Sequence, residues 1–235
     1  MAFAKIKRLL LKIRLRPIQV FVFHAVGNEK DADDYMIEDW NEIDSFRKRI
    51  ICLKQRYRFI SIEEAYSHLT TDIVRLRRYA VLTCDDGYLP VLSLLPFLKE
   101  NNIPLTLFIN PKYLDGVSRR DSYKGSPQYI TQEQLSLLDK DWVKVGMHGF
   151  EHNDASTMPR EDFVQSIEKC INSLDNCRNY IPYFAYPWGR YNQMTQQVLD
   201  SFHIIPVFCD GNTNCIYRDG ISRKPIDSYY FNHQS

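Results

Sequence analysis

Between residues 18 and 209 the chain repeatedly follows a short apolar run with a segment of helical spacing. This alternation constrains the fold more than any other feature. "IQVFVF" (18–23), "YAVLTC" (79–84), "PLTLFI" (104–109), "WVKVGM" (142–147), "YFAY" (183–186) and "IIPVFC" (204–209) read as strands, being short, apolar and rich in β-branched or aromatic residues. Between them, "IDSFRKRIICLKQR" (43–56), "LPVLSLLPFLKENN" (89–102), "TQEQLSLLDK" (131–140), "PREDFVQSIEKCINSLDNC" (159–177) and "NQMTQQVLDSF" (192–202) read as helices. Pro90 near a helix start and the Thr131/Gln134 pair are entry signals. Near-continuous apolar strands, each followed by a helix, argue a parallel sheet covered by helices. At 235 residues this is one domain, either an open doubly wound sheet or a small, incomplete (β/α) barrel.

Unusual polar residues collect at the carboxyl ends of the strands. Asp85 and Asp86 follow "YAVLTC", His148 and His152 follow "WVKVGM", "YPWGRY" overlaps and follows "YFAY", and His24 ends the first strand. In parallel α/β folds that end carries the active site. Two histidines and one carboxylate on such a rim make a 2-His-1-carboxylate metal site with a position left open. The second carboxylate is then available as a base. "DDG" alone would equally suit an acidic turn or helix cap, and either histidine alone a polar loop. The pattern differs from HExxH, since Glu151 precedes His152. Residues 112–128 form a long polar segment expected to be a rim loop.

"TCDDG" (83–87), "HGFEH" (148–152) and "AYPWG" (185–189), in that order, resemble the three core motifs of the polysaccharide deacetylases, the NodB-homology or carbohydrate esterase 4 family. "VFHAVG" (22–27) and the later "FRKRIICLKQRYRFISIEEA" (46–65) resemble the N-terminal part of members with a YHxV-type element. The resemblance spans roughly residues 18 to 227. It implies a distorted (β/α) barrel with fewer than eight strands. It also implies metal-dependent hydrolysis of an acyl group, usually acetyl, from an amino sugar. It casts Asp85 as general base, Asp86, His148 and His152 as metal ligands with Zn²⁺ the first choice, and the Trp188 backbone N–H as oxyanion donor. The chain departs from the pattern in three places. Cys84 stands where Phe is usual, and Ala185 where an Arg often orients the base. The late LxH histidine is absent, and His233 in "YYFNHQS" is a weak substitute for it. Arg223 in "ISRKPID" is the candidate replacement for the arginine; the alternative is a surface ion pair with Asp227. His24 is the candidate acid for the leaving amine, the alternative being a strand-end histidine that closes a hydrogen bond. His68 and His203 lie on helical stretches and read as structural.

Composition narrows the rest. A net charge of +1 gives no sign of a nucleic-acid partner. Six cysteines without a CxxC pair, in a chain of this size, read as reduced thiols. Residues 1–16 interleave Lys5, Lys7, Arg8, Lys12, Arg14 and Arg16 with isoleucine and leucine. Such a segment either lies on an anionic membrane surface or packs its leucines on the domain formed by residues 17–235. With no run suited to a secretory h-region, the expectation is a cytoplasmic protein, peripheral to the inner face of the membrane if residues 1–16 touch it. The substrate is then an N-acetylated sugar or oligosaccharide, nucleotide- or lipid-linked. Two other readings stand beside this one. A metal-dependent phosphoesterase would use Arg119, Arg120, Lys124 and Arg190 to hold phosphate, and a catalytically inactive carbohydrate-binding member would tend to have lost Asp85 or a ligand.

Overall fold

The computed structural model describes residues 18–28, 40–70, 77–120, 127–209, 216–217 and 220–226. Residues 1–16, Lys124, Asp227 and His233 lie outside these. Each apolar run forms a strand: β1 (Gln19–Phe23), β5 (Tyr79–Asp86), β6 (Leu105–Ile109), β7 (Val143–Met147), β8 (Tyr180–Ala185) and β9 (Ile205–Phe208). They pair in parallel in the order β9-β8-β7-β6-β5-β1. Short pieces not apparent from the sequence complete the set: β2 (Ala25–Gly27), β3 (Trp40–Glu42), β4 (Arg58–Phe59), β10 (Ile216–Tyr217), β11 (Gly220–Ser222) and β12 (Lys224–Pro225).

The sheet is curved into a distorted (β/α) barrel by its last stretch. β11 pairs in parallel with β9, and β12, one residue later, pairs in parallel with β1. The run 220–225 therefore staples the two edges of the sheet together, and Arg223 is the residue between the two pairings.

Among the described residues six helices cover the outside: α1 (Ile43–Arg56), α2 (Ile62–Thr70), α3 (Leu95–Glu100), α4 (Gln132–Ser136), α5 (Arg160–Leu174) and α6 (Gln193–Ser201). The helix expected over 89–102 is split. A 3₁₀ turn spans Leu89–Leu94 and α3 follows, because Pro96 has no amide to donate to the turn before it. The Thr131/Gln134 capping box forms, but α4 is only five residues long. It ends as Leu137 and Leu138 fall back to i−3 bonds. Asn192 and Thr195 make a second capping box on α6. Among the described residues no helix is long and apolar enough to cross a membrane.

Strand alternation divides the core in two. Phe21, Leu82, Leu107, Val145 and Phe184 face the helices, where Phe46, Ile50, Phe163 and Ile167 pack on them. Val20, Val81, Phe108, Tyr183, Val207 and Ile221 fill the barrel interior. The same parity carries Thr83, Asp85, Asn110 and His148 inward at the mouth. Gly146 is inward too, and it is glycine for a steric reason: a Cβ there would lie 2.5 Å from Phe108 Cε1 and 3.0 Å from the Tyr183 carbonyl oxygen. Gly146→Ala is therefore expected to lower stability in denaturant unfolding by about 1–3 kcal/mol, the usual cost of overpacking; an unchanged midpoint would mean that Phe108 is free to move.

Candidate metal centre and active site

Asp85 and Asp86 end β5 side by side and both are buried, at 3% and 4% exposure. Alternation alone would send them to opposite faces. The backbone resolves this at Asp86, which takes a left-handed φ of 70° ahead of Gly87. A non-glycine residue in that region is uncommon and costs on the order of 1–3 kcal/mol. The same device recurs at His152 (φ 61°) and Trp188 (φ 60°), both in turns that follow strand ends.

Each carboxylate has its own cation. Arg223 donates Nη1 to Asp85 Oδ1 at 2.6 Å and Nη2 to Oδ2 at 2.8 Å, a bidentate pair. Its Nη1 also donates to Thr83 Oγ1 at 3.1 Å, and its guanidinium lies 5.1 Å from the centre of the Phe108 ring. Arg223 is thus buried against the first aspartate rather than placed at the surface. Arg120 donates Nη2 to Asp86 Oδ1 at 2.7 Å and to Asn110 Oδ1 at 3.3 Å. Asn110 in turn donates to the carbonyls of His148 and Gly149, tying the end of β6 to the histidine turn. That turn is braced again by the Lys112–Glu151 ion pair at 3.0 Å, by Tyr113 Oη donating to the Glu151 carbonyl, and by the Phe150 amide donating to Ser166 Oγ on α5.

The donor set fits a divalent cation. The ligating atoms of Asp86, His148 and His152 lie within 4.8 Å of one another, all buried. His148 Nε2 is 3.5 Å and His152 Nε2 3.4 Å from Asp86 Oδ1. The Nδ1 of His148 donates to the Ala185 carbonyl at 2.8 Å, which leaves the Nε2 lone pair turned toward Asp86. Burial pushes both imidazoles down, His152 to about 3, so both are neutral, the form that binds metal. Burial pushes both carboxyls up, but the cations outweigh it. Arg223 holds Asp85 below its ordinary value, and Arg120 does the same for Asp86.

Around this centre, the Trp188 ring stands 5.0 Å from that of His152, edge to face, and is more than half exposed. The Pro187–Gly189 turn is closed by the Gly189 amide donating to the Tyr186 carbonyl at 3.0 Å. His24 lies half-buried between β1 and β2, and the register Phe23↔Cys84 sets it level with Asp85 on the neighbouring strand. Its carbonyl accepts from Cys84 Sγ at 3.1 Å. Reading the sequence alone misses Asn110, although it follows a strand directly, as the other site residues do. It also misses the pairing of Arg120 with Asp86; the rim loop has no periodicity from which that could be read. His68 and His203 sit on or at the end of helices, away from the site.

Residues 74–206, more than half the chain, match the model of the family described as polysaccharide deacetylase. No curated protein matches the chain. Among solved structures, the chain superimposes on Streptococcus pyogenes deacetylase PplD in complex with acetate at a TM-score of 0.71 and 19% identity, covering 93% of this chain and 99% of that one. IcaB from Ammonifex degensii gives 0.74 and 20%, covering 92% and 94%. The BpsB deacetylase domain from Bordetella bronchiseptica gives 0.68 and 17%, covering 89% and 96%. At these identities the structural likeness speaks for the fold, and the family match speaks for descent.

The pairing of Arg223 with Asp85 can be tested apart from catalysis. Arg223→Met should cost about 3–5 kcal/mol at neutral pH, since it leaves a buried carboxylate without a partner. Arg223→Met combined with Asp85→Asn should recover much of that loss in urea unfolding, and strictly additive losses would deny the coupling. With the three motifs joined at one barrel mouth and the family model matched across them, the chain belongs to the polysaccharide deacetylase family, which hydrolyses the amide of N-acetylated sugars.

Proposed function

We propose that this deacetylase works with Zn²⁺ held by Asp86, His148 and His152, with Asp85 as general base and His24 as general acid. The observation that carries the proposal is the division of labour between the adjacent aspartates: Asp85 is clamped by Arg223, while Asp86 faces both histidines. When bound, the cation supplies Lewis acidity to the amide carbonyl and the attacking water. Each carboxylate oxygen has two lone pairs, so the bidentate Arg223 leaves Asp85 able to accept a proton from that water. Arg223 also fixes the carboxylate's orientation, the role expected of an arginine that Ala185 cannot fill. The turn at Trp188 would offer its backbone N–H to the developing oxyanion. His24 stands level with Asp85 on the neighbouring strand and can give its proton to the departing amine.

Two imidazoles and one carboxylate suit zinc as the first choice among divalent ions. We read the substrate as an N-acetylated sugar or oligosaccharide carried on a lipid or nucleotide, met at the cytoplasmic face of a membrane. The basic amphipathic stretch at residues 1–16 supports that placement. The phosphoesterase reading draws less support, because Arg120 is engaged with Asp86 and Arg190 with Asp154 at 2.9 Å.

One assay decides the reaction. Incubation with N-acetylated oligosaccharides, nucleotide sugars and aryl phosphates should release acetate and no phosphate; release of phosphate alone would reverse the assignment. In the same preparations His148→Ala and Asp86→Ala should lose the metal, as measured by elemental analysis. Asp85→Asn should keep it while turnover falls by about 10²–10⁴, the usual contribution of a general base. Loss of metal from Asp85→Asn would exchange the roles of the two aspartates.

His24 is tested by leaving group. An N-acetyl amide needs its amine protonated, whereas an acetyl ester of a good leaving group barely does. His24→Ala should therefore lose turnover on the amide and little on the ester, with metal content unchanged. Equal losses on both substrates would assign His24 a structural role.

A further inference from the structure

One oxygen atom at the barrel mouth serves two masters. Asp86 Oδ1 accepts from Arg120 Nη2 at 2.7 Å, and the same atom lies 3.5 Å from His148 Nε2 and 3.4 Å from His152 Nε2. Ligands held at about 2.1 Å around a tetrahedral cation stand about 3.4 Å apart, so these groups already have a ligand spacing while Arg120 keeps its bond. A carboxylate oxygen has two lone pairs, one for a cation and one for the guanidinium. Local structure delivers Arg120 to this place. The 3₁₀ turn Pro111–Asp115 ends at Gly116, whose φ is 75°. Asp115 then accepts from the amides of Val117 and Ser118 and from Ser118 Oγ, which turns the chain. Arg119 stays outside, donating to the carbonyls of Gly116 and Ser118. Arg120, the next residue, is buried at the mouth, where it also donates to Asn110 Oδ1 at 3.3 Å.

The charges decide what this sharing does. Asp85, Asp86, Arg120 and Arg223 are all buried, and their charges cancel. A divalent cation on Asp86 is therefore added to a neutral cluster, next to a guanidinium bonded to its own ligand oxygen. Two unit charges about 4 Å apart, at the effective dielectric of a protein, shift an equilibrium by far more than tenfold. Against this repulsion stands the alignment that Arg120 gives Asp86. That alignment has other supports: the φ of 70° at Asp86, the pairing of Asp86 with Ile109 on β6, and the braced histidine turn opposite. Repulsion is then the larger effect. Resting on the metal reading above, we infer that Arg120 is a positioning residue that lowers the affinity of the site for its cation. It neutralises Asp86 from within the chain, so folding does not wait for the metal, and it keeps the metal exchangeable.

Full-length protein is stripped with a chelator and titrated with Zn²⁺ against a chromophoric competitor, and melting curves are recorded for the stripped and reloaded forms. Wild type is compared with Arg120→Met, Arg120→Gln and Arg120→Lys. Arg120→Met should bind Zn²⁺ at least about tenfold more tightly than wild type. Arg120→Lys keeps the charge and should stay close to wild type. Stripped Arg120→Met should melt about 10 °C below stripped wild type, because a buried carboxylate is left without its partner, and reloading should close most of that gap. Arg120→Gln keeps a hydrogen bond without the charge; it should also bind more tightly, and it gives the same sign should the methionine disturb folding. Unchanged affinity in the neutral variants, or affinity lower by about 10–100-fold, the loss expected of a donor that only orients its ligand, would overturn the inference. So would tighter binding by Arg120→Lys, or equal melting of the stripped forms. Wild type that binds Zn²⁺ with any of these results leaves the metal reading standing and removes this inference alone. Failure of every form, wild type included, to bind Zn²⁺ would remove the metal reading and the inference with it.

Discussion

The buried pair of Arg223 and Asp85 is the interaction on which the rest of the molecule turns. A carboxylate at 3% exposure is tolerable only with a partner, because taking an unpaired charge out of water costs several kcal/mol. The partner arrives from 138 residues away in sequence. It sits at the one position between β11 and β12, where the chain stops pairing with β9 and starts pairing with β1. Closure of the barrel and neutralisation of Asp85 therefore depend on the same residue. A chain that failed to close would leave Asp85 without its cation, and a chain without Asp85 would bury an unneutralised guanidinium at its seam. Phe108 links this pair to the packing below, since its ring lies under the guanidinium on one side and against Gly146 on the other.

The backbone makes the complementary adjustment. A regular strand end would point Asp86 out toward the helices. A regular turn would likewise carry His152 and Trp188 elsewhere. Left-handed φ values at all three bring their groups to one mouth. Each costs on the order of 1–3 kcal/mol, and the expense is met by what surrounds them. The Asn110 bridge, the Lys112–Glu151 pair and the bond from Phe150 to α5 hold the histidine turn. Strain of this kind often clusters at functional sites; among the described residues, three of the five non-glycine positions with positive φ stand at this mouth, while Asn102 and His203 lie elsewhere.

Much of this architecture could be read from the sequence. Strands buried on both faces are largely apolar, so β1, β5, β6 and β7 are legible as runs, and β9 is legible from its residue types although it is only partly buried. α1, α5 and α6 were visible as stripes, with Phe46, Ile50 and Leu53 buried along α1 as their spacing requires. The elements without a sequence signal are short or polar. β11 and β12 total five residues flanking an arginine, and nothing in "ISRKP" signals a strand, because its pairing partners lie far away in sequence. The helix over 89–102 broke at a proline whose effect depends on where the turn before it begins. Asp85, Asp86, His148 and His152 were legible because their residue types and strand-end positions agree. Arg120 was not, because a cation in an irregular loop carries no positional information until the loop is folded.

The adjacency of the two aspartates, finally, is what lets two like groups differ. Asp85 keeps the strand's inward parity, so both its oxygens meet Arg223, the nearer of them 3.9 Å from His148 Nε2. Asp86, one residue later and turned by its φ of 70°, presents Oδ1 to both imidazoles and to Arg120. A carboxylate whose two oxygens are held in a fork is poorly placed to rotate onto a cation but well oriented to receive a proton along a remaining lone pair. A carboxylate already aimed between two neutral imidazoles is the better ligand. Separated by a full strand pleat, the pair would have faced different layers of the fold. Placed side by side, with one turned, they share a pocket while keeping different partners, and that is the physical reason for "DDG" at the end of a buried strand.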